Sequence, residues 1–127
     1  MQTLLLVAVG GASGAVMRYL LGVQTLRAFG SGWPFGTFAA NILGGLLMGV
    51  LAGVLAHRGG ADQEKWRLLL GVGVLGGFTT FSAYSLEIAL MIERKAWLQA
   101  FAYSLGSVVL AVTAVFVGLI LLRRLVE

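Results

Sequence analysis

The 127-residue chain has no cysteine, one proline and one histidine, and each shortage removes a class of chemistry. Without cysteine there is no disulfide, thiolate metal site or cysteine nucleophile, and the redox state of the compartment leaves no mark. The single histidine, His57, stands beside Arg58 in a charged stretch and reads as a solvated loop residue. Only five residues are acidic. No nucleophile, metal site or paired acid and base assembles, so enzymatic catalysis has little support. Charge of both signs is scarce: 11% of residues are charged and 59% hydrophobic, where a soluble domain carries about 25% charged residues. So few charges cannot cover a soluble surface. The net charge of +4 sits mostly in the loops and the tail, a pattern of lipid headgroup anchoring and not of nucleic acid binding.

What remains is long apolar runs, each about the ~20 residues a helix needs to cross the hydrocarbon of a bilayer. The solvent is therefore lipid, and the reading is an all-α membrane protein with four transmembrane helices in a single domain over residues 1–127. Span one is expected over Leu4 to Leu21, with Arg18 in its second half. It lacks the basic n-region of a secretory signal and is interrupted by Gly10, Gly11 and Gly14, so it reads as a retained span. A polar link with Arg27, Gly30, Ser31 and Gly32 leads to Trp33, an interface anchor, and Pro34, which suits a helix start. Span two is expected from Gly36 to Ala56, followed by a hydrophilic loop from His57 to Arg67. Span three covers Leu68 to Ile92, and span four Leu98 to Leu122, flanked by Trp97 and stopped by Arg123 and Arg124.

An even number of spans puts both termini and the middle loop on one side. That side holds Arg58, Lys65, Arg67, Arg123 and Arg124, and the other holds Arg18, Arg27, Arg94 and Lys95. Five against four is almost no positive-inside bias. A chain without bias can insert both ways up, and two oppositely oriented copies can pair about a two-fold axis in the membrane plane; a weak bias with one orientation winning is the plainer alternative. Glycine is abundant, 19 residues. Asn41, Gly45, Gly49 and Gly53 recur every four residues in span two, and Gly10 and Gly14 repeat the spacing in span one. Such stripes of small residues let helix backbones approach closely in lipid, which speaks of packing and not of activity.

The spans also carry many neutral hydrogen-bond donors: Thr37 and Asn41, then Thr79, Thr80, Ser82, Tyr84 and Ser85, then Tyr103, Ser104, Ser107 and Thr113. Donors of this kind can replace the water around a small anion, whose dehydration in a low-dielectric core is otherwise very costly. A single serine or threonine more usually bonds back to its own helix, and Asn41 serves equally as helix glue or as a functional amide. In span three, Gly76-Gly77-Phe78-Thr79-Thr80-Phe81-Ser82 weakens the helix near the middle of the bilayer. Broken helices in lipid are tolerated only in protein or along a cavity, and freed carbonyls hold monovalent cations in transporters. Spacing alone also allows a glycine-hinged continuous helix.

Gly10-Gly11-Ala12-Ser13-Gly14-Ala15-Val16-Met17-Arg18-Tyr19, Gly36-Thr37-Phe38-Ala39-Ala40-Asn41-Ile42-Leu43-Gly44 and the span-three motif together resemble the Fluc/CrcB family of fluoride channels. The likeness runs across all four spans, with the motifs in the family's order. It implies a dual-topology antiparallel homodimer in the cell's inner (plasma) membrane, with two fluoride pores and a structural Na⁺ at the dimer centre, held by the backbone carbonyls of Gly76 and Thr79. It further implies that Phe81 and Tyr84 are pore aromatics, Asn41 the pore-facing amide, and Tyr103 and Ser107 a polar track, with Arg18 near a vestibule and Glu87 near a pore end. Near span ends, arginine can also snorkel and glutamate can reach headgroup water. Tyr84 stands where the family usually has phenylalanine; it keeps the electropositive ring edge that faces an anion and adds a hydroxyl. The function implied is passive export of fluoride that entered as neutral HF and ionised in the cytoplasm, a detoxification.

Two other functions fit four short spans. A small multidrug-resistance type exporter needs an acidic residue deep in the first span, and Met1 to Leu21 has neither Asp nor Glu. A non-transporting assembly subunit explains the glycine stripes but leaves the polar residues without a purpose.

Overall fold

The computed structural model describes residues 1–126 and the side chains of residues 1–125. Four helical spans are long and apolar enough to cross a membrane, which makes the chain a multi-pass membrane protein. Helix α1 (Gln2–Phe29) ends at Gly30, whose φ of 80° needs glycine and whose N–H bonds the Leu26 carbonyl. Helix α2 (Phe35–Arg58) begins at Pro34 and is closed in the same way by Gly59 at φ 62°. The third span comprises α3 (Gln63–Trp66), a π-helical segment (Arg67–Leu75), α4 (Gly76–Phe78) and, after a break, α5 (Ser82–Glu93). Helix α6 (Trp97–Val126) completes the bundle.

Three boundaries differ from expectation. Span one continues through Arg27 because the lone Gly22 is carried inside the helix, which ends only where Gly30 turns to positive φ. Arg18 is therefore well inside a 28-residue helix. The hydrophilic loop shrinks to residues 59–62, since α2 runs through Arg58 and α3 starts at Gln63. The break in span three falls at residues 79–81, after the glycine pair, with Thr79 extended at φ −86°, ψ 160°.

The glycine pair is helical, and it is Gly77, with Gly73 one turn earlier, that packs on α1. A Cβ on Gly77 would run into the backbone of Gly11, and one on Gly73 would lie 3.0 Å from the Cα of Gly10. Thus α1 lies backbone to backbone on the first half of the third span. The second such pair is α2 with α6. A Cβ on Gly45 would meet the Ala111 carbonyl at 2.7 Å, and one on Gly118 the Leu46 carbonyl at 2.5 Å. In lipid, where burying apolar surface gives little drive, this close approach is what gathers the helices. The stripe on α2 thus packs as its spacing foretells, except at Asn41, which turns to the broken span.

Helices α5 and α6 meet in a tight turn. The Ala96 N–H reaches the Met91 carbonyl and the Lys95 N–H the Ile92 carbonyl, both at 2.9 Å, with Lys95 at φ 60°. This is a Schellman ending, with Lys95 at the position glycine usually takes. Beneath it lies the core: Tyr84, Met91, Ala100 and Tyr103 are buried, with Trp33, Phe38, Ile88 and Ala96 packed against them.

Candidate ion pathway at the broken span

Asn41 holds the break by both ends of its amide. Its Nδ2 donates to the Thr80 carbonyl at 3.0 Å, and its Oδ1 accepts from the Thr80 N–H at 2.8 Å. The Thr80 N–H is thereby diverted from the carbonyl of Gly76, four residues back, where a continuous helix would send it. One turn later the Ala83 N–H goes to Thr80 Oγ1 at 3.2 Å and not to the Thr79 carbonyl, so Thr80 caps the second half-helix. The carbonyls of Gly76 and Thr79 are left without those helical donors. The neighbouring Gly77 carbonyl accepts from Arg18 Nε at 3.4 Å. Among the described residues no group of three His, Cys, Asp or Glu side chains assembles.

A second constellation lies between α2, α5 and α6. Glu87 accepts from Thr37 Oγ1 at 2.9 Å and from Tyr103 Oη at 2.7 Å. Tyr84 Oη donates to the Ser104 carbonyl at 2.6 Å. One helical turn from Tyr103, Ser107 is buried, and its Oγ has no partner, an unusual state for a buried hydroxyl. The Phe81 and Tyr84 ring centroids are 5.7 Å apart and those of Tyr84 and Tyr103 5.4 Å. Phe81 is 77% exposed whereas Tyr84 is 8% exposed, so the outer ring projects from the protomer.

Above Glu87 opens a cavity of about 510 Å³, lined among others by Arg18, Thr37, Glu87, Arg94 and Gln99. The structure thus brings Arg18 and Glu87 to one vestibule, and Glu87, Tyr103, Tyr84 and Phe81 to one line running toward the break, with Ser107 one turn beyond Tyr103. Several hydroxyls bond back to their own helices, as expected: Ser13 to Val9, Thr25 to Leu21 and Thr79 to Leu75.

Sequence reasoning missed three things. The Thr37 hydroxyl serves Glu87; its position four residues before Asn41, on the same face of α2, was the available signal. Trp33 is not simply an interface anchor, because its ring stands edge-on to Tyr103 at 5.3 Å and 90°. Arg94 and Gln99 line the vestibule, which nothing in their spacing announces.

Residues 5–119 match the family described as CrcB-like protein, Camphor Resistance (CrcB). The chain is 79% identical over 124 residues to the fluoride-specific ion channel FluC of Phenylobacterium zucineum (strain HLK1), with 98% of each chain covered. Identity to the FluC of Caulobacter sp. (strain K31) is 66% over 125 residues, and to that of Hyphomonas neptunium (strain ATCC 15444) 49% over 125 residues, each covering 98% of both chains. With its motifs, its four spans and this match over nearly the whole length, the chain belongs to the CrcB-like family.

Proposed function

We propose that the chain is a fluoride-selective passive channel of the plasma membrane, not an enzyme, which lets cytoplasmic fluoride leave and so protects against its toxicity. The observation that carries this reading is the buried, unpaired Ser107 Oγ one turn from Tyr103, whose ring continues through those of Tyr84 and Phe81 toward the break. Its relatives, named fluoride-specific ion channels, are alike over 98% of their length. Fluoride must shed water to enter. The Ser107 hydroxyl, the second amide hydrogen of Asn41 and the hydrogens at the Phe81 and Tyr84 ring edges replace that water without the tight hold a lysine would exert. Arg18 draws the anion into the vestibule. Glu87, which holds the Thr37 and Tyr103 hydroxyls, fixes the pore end.

The active unit in this proposal is a dual-topology antiparallel homodimer with two pores. The near balance of five cationic residues against four, and the exposed Phe81 ring, support it. A structural Na⁺ at the dimer centre fits the donors present: the Gly76 and Thr79 carbonyls lack their helical N–H partners and are hard oxygen ligands of the kind that hold Na⁺ in broken helices. Bound there, Na⁺ would offset the partial negative charge at the carbonyl end of the first half-span. The break also points the N-terminus of α5 toward the pathway, where its dipole favours an anion.

Liposomes loaded with potassium fluoride and containing purified protein provide the test. Fluoride should leave when potassium is given an ionophore, with no dependence on a sodium or proton gradient. Efflux coupled to either gradient would make the protein a carrier, and no efflux would refute the reading.

A further inference from the structure

We propose that Asn41 is a positioning residue for the cation site: its two-point clamp on Thr80 is what presents the Gly76 and Thr79 carbonyls. The inference rests on the structural Na⁺ proposed above and adds to it the part of the chain that builds the site. A broken helix exposes carbonyls only if the N–H groups that would cover them are held elsewhere. Here the Thr80 N–H is the natural partner of the Gly76 carbonyl, and Asn41 Oδ1 takes it at 2.8 Å. The amide orientation is unambiguous, because Thr80 N is a donor and its partner must be the side-chain oxygen.

The second bond, Asn41 Nδ2 to the Thr80 carbonyl at 3.0 Å, fixes the peptide groups on both sides of Thr80. That holds Thr80 Oγ1 where the Ala83 N–H reaches it at 3.2 Å, which uncovers the Thr79 carbonyl. One side chain on α2 thus sets both ligands on the third span. The clamp leaves one amide hydrogen of Asn41 for the anion pathway, so the same residue links the two ions. Arg18 supplies a weaker tether from α1, at the Gly77 carbonyl, which leaves Gly76 and Thr79 untouched.

The test compares Na⁺ binding with fluoride flux in purified dimers. Binding is read as the Na⁺ concentration giving half-maximal thermal stabilisation, with N-methylglucamine as the replacing cation. In Asn41→Leu the midpoint should rise by about tenfold, the effect of freeing two main-chain groups to cover the carbonyls. Ser107→Ala, which removes a hydroxyl from the pathway alone, should lower flux with the midpoint unchanged. Should Asn41→Leu fail to assemble, Asn41→Ala removes both clamp bonds with less bulk and leaves the third span's own groups intact, and the midpoint should rise in the same way. A wild-type midpoint in either variant that assembles would overturn the clamp while the cation reading stands. A wild-type protein that Na⁺ does not stabilise would overturn both.

Discussion

Phe81 and Tyr84 have adjoining rings but opposite surroundings, one projecting from the protomer and the other packed in the core with its hydroxyl on the Ser104 carbonyl. Their substitutions should therefore separate. Phe81→Ile keeps bulk and apolarity but removes the electropositive edge; fluoride flux per folded protein should fall by about tenfold while the protein still assembles, whereas a ring that serves only packing would lower the melting temperature and leave flux unchanged. If flux is unchanged, Phe81 is not on the pathway. Tyr84→Phe keeps the edge and loses one hydrogen bond, so flux should stay near wild type while stability drops by about 1 kcal/mol. Both quantities are measured on the same preparations. The pair was visible in the sequence as two aromatics three apart beyond a break, whereas the contrast in burial was not, because it depends on where α6 lies.

At the scale of elements, the four spans were legible because apolar length is decided locally by composition. The place of the break was legible only to within a few residues. Glycine pairs weaken helices, yet Gly76 and Gly77 remain helical, Gly77 serving the approach of α1, and the chain parts where Asn41, 39 residues away, captures Thr80. The π-helical stretch Arg67–Leu75 has no signature in residue types; wide turns of this kind arise from tertiary packing and cluster at functional sites.

Two substitutions test the element packing. Gly49→Val would drive a side chain into the Val115 carbonyl of α6. It should prevent the helices from packing, read as loss of the folded-protein peak in gel filtration; a normal peak would mean that the pair does not approach this closely. Lys95→Gly relieves a left-handed lysine and should stabilise the protein by about 1 kcal/mol, seen as a higher melting temperature in detergent.

Across the whole molecule, nine cationic residues divide five to four between the two ends, and the outer faces are apolar, with Phe81, Leu98 and Phe101 among the exposed side chains. In the proposed dual topology such a protomer inserts either way up and offers one greasy face to lipid or to a second copy. Adding two lysines in the short turn, Ala61→Lys and Asp62→Lys, should commit insertion to one orientation and reduce activity, and co-expression of an oppositely biased copy should restore it. Normal conduction by the biased protein alone would contradict the antiparallel arrangement.

The central claim, that this bundle passes fluoride and rejects other halides, is tested most directly by electrical recording from purified protein in a planar bilayer with fluoride on one side and chloride on the other. The account predicts a current carried by fluoride, with a reversal potential far toward the fluoride equilibrium and no current in symmetric chloride. A reversal potential near zero, or chloride currents as large as those of fluoride, would contradict it.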